Sequence, residues 1–171
     1  MTNSAGGGTD PQSHPQLLTW LEARQERFGT WVRDVGGPEV WDGSAESLEA
    51  LEQLVRRHYD DQYHVLGARM DPLLQGAAWY LGEVLRREKG WVWKYQPFAV
   101  GGGVLPSLFG GADRVGVIDD PCVAAPDAHE DDALYPMRAL GELLMTKDDQ
   151  GEPVDFHLAD LLDEDEDADD D

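Results

Sequence analysis

The sequence predicts an α+β fold, with helices packed on a small antiparallel sheet and a disordered acidic C-terminal tail. Three observations carry that expectation. Apolar residues in the first half recur at three-, four- and seven-residue steps, the period of one helix face. At Trp91 the pattern switches to Trp91-Val92-Trp93-Lys94-Tyr95, an alternating run rich in aromatics that reads as a strand. Positions 163–171 are all acidic except Ala168, a run with nothing to bury. The expected organisation is a flexible leader over 1–13, a single domain over 14–162 and the tail over 163–171. Six Trp, five Tyr and four Phe in 171 residues are enough large side chains for one genuine core.

The elements follow in order. Residues 1–12 are polar and Gly-rich, and Ser13 with Pro15 forms a helix start. Leu17, Leu21, Phe28, Trp31, Val32 and Val35 then trace one face until Gly36-Gly37-Pro38 stops the helix. Asp42-Gly43-Ser44 reads as a capping cluster for a second helix, whose face carries Leu48, Leu51, Val55 and Tyr59 and extends toward Leu66. Asp71-Pro72 starts a third helix, with Leu74, Ala77, Ala78, Leu81 and Leu85 as its stripe. Arg86, Arg87 and Lys89 lie in its last turn, where cations complement the helix dipole, and Gly90 ends it. Gly82 within that helix costs about 1 kcal/mol against Ala, so close approach of another backbone is expected there.

After the Trp91 strand, Pro97 closes the run. Short extended segments are expected at Phe98-Ala99-Val100, Val104-Leu105 and Val115-Gly116-Val117-Ile118, the last ended by Asp119-Asp120-Pro121. Residues 126–132 form a polar acidic loop. Pro136 opens a helix running to Met145, and residues 154–162 form a short final helix.

Charge is the strongest compositional signal: 35 Asp+Glu against 13 Lys+Arg, a formal −22. Removing the tail still leaves −14. Such a field repels nucleic acid and anionic lipid and favours basic partners. An acidic proteome would give the same charge with no partner in mind. Cys122 is the only cysteine, so no internal disulfide can form. Residues 1–13 hold neither a basic region nor an apolar run, so no signal peptide is expected. No apolar stretch approaches the ~20 residues of a membrane span. The expected location is the cytoplasm, with no membrane and no direct nucleic-acid partner.

Catalytic motifs are weak throughout. His58 and His64 are six apart, on different helix faces, and the other histidines are scattered, so no metal site is expected. Ser107 lacks the glycine that a nucleophile elbow places two residues before its serine. Cys122, in acidic surroundings that raise a thiol's pKa, reads as a small buried hydrophobe. The glycines at 101–103 and 110–111 carry no phosphate-loop Lys-Ser/Thr, and no cofactor is expected. Glu83 reads as outward-facing or salt-bridged. In the strand, Trp91, Trp93 and Tyr95 share one face and Val92 and Lys94 the other. Either the aromatics form a partner-facing patch, or they form core with Lys94 at the edge. The candidate partner-binding residues are therefore Asp60, Asp61, Asp131, Asp132, Trp91 and Trp93.

The run Ser47-Leu48-Glu49-Ala50-Leu51-Glu52-Gln53-Leu54, then Ala78-Trp79-Tyr80-Leu81-Gly82-Glu83-Val84-Leu85 and Trp91, resembles small actinobacterial proteins in which a Tyr-Leu-Gly-Glu helix leads into a Trp-containing strand. The resemblance covers roughly residues 44–118. It implies a domain of unknown function, some of whose relatives are taken to be immunity proteins against bacterial toxins. The acidic loop and tail depart from that pattern. Together these readings lead to a non-enzymatic binder of a basic partner, of immunity or antitoxin type. The alternatives are a nucleic-acid mimic and a carboxylate- or metal-dependent hydrolase.

Overall fold

The computed structural model describes residues 15–37, 39–68, 71–95, 99–100, 103–104, 121–128, 132–145, 147, 150–153 and 155–162. Among the described residues, five α-helices come in the order α1 Pro15–Val35, α2 Ser47–His58, α3 Gln62–Gly67, α4 Pro72–Lys89 and α5 Pro136–Glu142. Strands β1 Val92–Lys94, β2 Ala99–Val100, β3 Gly103–Val104 and β4 Cys122–Ala124 lie between α4 and α5. A 3-10 turn, Leu158–Leu162, follows. The fold is α+β.

Helix limits fall where local chemistry puts them. Pro15 opens α1, and the left-handed Gly36 and Gly37 end it. Gly90, at φ 70°, caps α4 in the left-handed region. Asp71 occupies the N-cap of α4, but its side chain accepts no capping bond; its carbonyl takes the Gln75 N–H at 2.9 Å. Ahead of α2, Ser44 Oγ accepts from Ser47 N at 3.2 Å, and Asp42 Oδ1 accepts from both N–H and O–H of Ser44. The second apolar face does not continue as one helix: the chain turns extended at Tyr59 and restarts at Asp61, whose carboxylate accepts from His64 N at 2.8 Å. The Leu66 side chain lies outside the described residues.

Helix α4 is the hub, packing against α1, α2, α5, β1, β4 and the 3-10 turn. Its glycines explain how. A Cβ on Gly82 would overlap the Trp93 ring, and one on Gly76 would overlap the Trp31 ring. The close approach expected at Gly82 is therefore made by an indole from β1, not by backbone. Trp20 is fully buried and meets Trp93 edge-on at 5.3 Å, while its Nε1 donates to the buried Gln75 Oε1 at 2.6 Å. These contacts lock α1, α4 and β1 into one apolar cluster.

The sheet corrects the sequence in one respect. β1 pairs antiparallel with β4, Trp93 opposite Val123 and Lys94 opposite Cys122, and Leu134 adds a bridge to Val123. The segment at Cys122 was not expected to be a strand, while the expected strand at Val115-Gly116-Val117-Ile118 lies outside the described residues. β2 and β3 pair as a separate two-residue ladder. Of the two readings of the aromatic strand, burial decides: Trp93 is 6% exposed and belongs to the core, so it is withdrawn from the partner-facing set. Lys94, expected at the edge, is itself only 7% exposed; its Nζ donates to the carbonyls of Ala125 and Pro126 at 3.2 and 3.3 Å. Burial of that ammonium is offset by those bonds. Cys122 is buried, its thiol donating to Lys94 O at 3.3 Å. Positions 1–14 and 163–171, which include the leader and tail, lie outside the described residues.

Candidate functional site: an acidic-rimmed cleft

The C-terminal end of α2 carries Arg56 and Arg57 in its last turn and Glu52 one turn earlier. Glu52 is buried, and a buried carboxylate needs donors. It finds them across 105 residues of sequence, where His157 Nδ1 lies 3.1 and 3.2 Å from its two oxygens. Arg56 adds an ion pair at 3.6 Å. The other ring nitrogen of His157 lies 3.0 Å from Asp155. Hydrogen bonding to Glu52 first, then the charges of Glu52 and Asp155, hold the imidazole above its ordinary pKa. When protonated, the ring donates through both nitrogens and has no lone pair left for a metal or for proton abstraction. Its work here is to tie residues 155–157 to α2.

That tie forms one wall of a cleft of about 670 Å³, with Arg56, Tyr59 and Asp60 from α2 and its end, and Leu143, Leu144 and Met145 from the end of α5. Tyr59 is buried, and desolvation, reinforced by Asp71, pushes its phenol up to about 12. Leu144, Met145 and Phe156, each partly buried, give the cleft an apolar portion. The rim carries carboxylates: the side chains of Asp60 and Asp155 are 97% and 92% exposed. Asp60 N donates to His64 Nδ1 at 3.2 Å, and the solvent-facing Asp60 carboxylate lies 3.8 Å from the same nitrogen.

No protein-family model matches this chain. No curated protein and no solved structure was found to resemble it. The site is therefore argued from its own chemistry.

Of the residues expected from sequence, Asp60 lines this cleft. Asp61, exposed, caps α3 through Oδ1 and does not line the cleft, and Trp93 is core. Trp91 is half-buried, with Lys89 Nζ 4.6 Å above its ring. Asp132 is exposed on the approach to Leu134, and Asp131 lies outside the described residues. Sequence reasoning missed Glu52, Asp155 and His157, because nothing local marks a histidine that meets its partner a hundred residues away. Glu83 is salt-bridged, accepting from Arg86 Nε at 2.8 Å. Among the described residues, no three His, Cys, Asp or Glu side chains are placed to hold a metal ion, and no helix is long and apolar enough to cross a membrane.

Proposed function

We propose that this chain is a non-enzymatic binding protein that acts in the cytoplasm and receives a basic, amphipathic segment of a partner protein in the α2–α5 cleft. The observation that supports the reading is a cleft lined by Leu144, Met145 and Phe156 together with two solvent-exposed carboxylates, Asp60 and Asp155, each paired only with a histidine among the described residues. A Lys or Arg side chain suits both parts at once, since its methylene stem packs on Leu144, Met145 and Phe156 while its charge meets Asp60 or Asp155. The formal −22 adds long-range attraction for such a partner. An immunity or antitoxin-like role, inhibiting a basic toxin by covering it, agrees with the resemblance over residues 44–118.

The phosphate-mimic alternative calls for uninterrupted rows of carboxylates. Here acidic groups pair with cations, Glu52 with Arg56 and Glu83 with Arg86.

The test uses a helical Lys/Leu peptide as probe in calorimetry at about 20 and 300 mM salt, conditions that bracket the range over which exposed charges become screened. Binding is expected at low salt, weakening with salt, and weakening about tenfold in an Asp60→Asn, Asp155→Asn double variant. Binding that the double variant leaves unchanged would remove the cleft from the proposal. A toxin encoded beside this gene, once purified, is the natural second probe.

A further inference from the structure

A second cleft is built from aromatic walls and guanidinium groups. Phe28 of α1 stacks on Tyr80 of α4 at 6.0 Å with an interplanar angle of 12°, and meets Trp79 at 5.2 Å. Trp41, from the loop before α2, meets Tyr80 edge-on at 5.2 Å. The wall is held rigidly, because Tyr80 Oη accepts from Gly43 N at 2.9 Å and shares a 2.5 Å hydrogen bond with Ser47 Oγ. These rings line a cleft of about 410 Å³. That volume lies within the range of small-molecule sites, about 300–1,000 Å³.

Two arginines from the last turn of α4 line the same cleft. Arg86 is committed to Glu83. The Arg87 side chain makes no hydrogen bond or ion pair among the described residues, in a chain with 35 Asp and Glu. It is nonetheless placed: its guanidinium lies against Gly43, where any Cβ would overlap Nη1 and where φ is +81°. Gly43 thus serves both the turn and the seat of Arg87. Asp42, the carboxylate nearest in sequence to that seat, is turned to Ser44, whose hydroxyl and N–H it accepts at 2.6 and 3.0 Å. An indole N–H without an acceptor, Trp41 Nε1, is buried in the same wall.

We infer that this cleft binds a planar aromatic monocarboxylate, its ring against the Phe28–Tyr80–Trp79 wall and its carboxylate on Arg87. A guanidinium matches a carboxylate in plane and can donate two parallel hydrogen bonds. A flat ring adds π contact with aromatic walls already in place. One free cation flanked by Asp42 and Glu83 suits one negative charge; a dianionic phosphate would meet more repulsion from those two carboxylates and from the chain as a whole. This site is independent of the α2–α5 cleft: the two share no lining residue.

The test titrates the full chain with 1-naphthoate, 1-naphthyl phosphate and neutral 1-naphthamide, following the indole N–H resonances of Trp41 and Trp79 and measuring heat. Saturable naphthoate binding is expected, with naphthamide and naphthyl phosphate each about tenfold weaker. Arg87→Gln should weaken naphthoate about tenfold and leave naphthamide unchanged, and Arg87→Lys should restore part of the loss. Arg87 is exposed, so these variants keep the fold, which the dispersion of the same spectra verifies. Equal affinity for naphthoate and naphthamide, tighter binding of the phosphate, absence of naphthoate binding, or indifference to Arg87→Gln would each overturn the assignment.

Discussion

At the scale of single residues, the packing around α4 leaves little slack. Gly82 sits under the Trp93 ring, which is itself wedged against Trp20, so a methyl at 82 has no flexible neighbour to displace. Gly82→Ala, which on helix propensity alone would stabilise, is expected to destabilise by about 1–3 kcal/mol in urea unfolding. Arg24 offers the opposite case. It lies on the buried face of α1 at 4% exposure with Nε unpaired, and desolvation, then repulsion from Arg27, push its pKa down to about 10. No carboxylate pairs with it among the described residues. Arg24→Met keeps the aliphatic stem and removes a poorly solvated charge, so it is expected to raise stability by about 1–3 kcal/mol in the same measurement. A fall in stability would show that the buried guanidinium stabilises the fold.

At the scale of elements, the C-terminal segment is held to α2 by a titratable clasp. The folded pKa of His157 lies above the ordinary value because the charged ring donates to Glu52 and Asp155. Stability from this clasp is therefore fully present below the unfolded pKa of about 6.5, and is lost as pH rises through the higher folded value. Amide exchange of residues 155–162 is expected to speed up on the alkaline side of neutrality beyond its intrinsic pH dependence. Glu52→Gln should abolish that extra change and bring the His157 titration, followed by NMR, back toward the ordinary value. The sheet has its own clasp in Lys94. Lys94→Met leaves the Ala125 and Pro126 carbonyls without their donor, so faster exchange around β4 and residues 125–128 is expected, with α1 and α4 unaffected.

At the scale of the whole molecule, net charge and fold act separately. Self-repulsion at −22 works against the compact state, so moderate salt should raise the melting temperature while it weakens capture of a cationic peptide. Deleting positions 163–171 removes eight negative charges and should leave the melting temperature unchanged or slightly higher. A large loss on deletion would show the tail to be part of the folded structure. The core draws α1, α4, β1, β4 and α5 into one cluster, so its loss under denaturant should be cooperative across Trp fluorescence and far-UV dichroism.

What the sequence by itself determined is what short-range chemistry controls. Pro15, Gly36-Gly37, Asp71-Pro72, Gly90 and Pro136 each act within a turn of their own position, so helix limits and the α+β class were legible from them. The strand at Val92–Lys94 was legible from its alternation. The tertiary structure alone decided which distant groups meet. β1 took Cys122–Ala124 as its partner, Lys94 went inside because two carbonyls were waiting for it, and Gly82 was reserved for an indole from another element. Glu52 and His157 carry no mark of each other in the chain, yet their contact forms a wall of the acidic-rimmed cleft. The physical reason is one of range. Caps and periodicity act over a few residues, whereas burial couples groups by their distance in space, which only the assembled core sets.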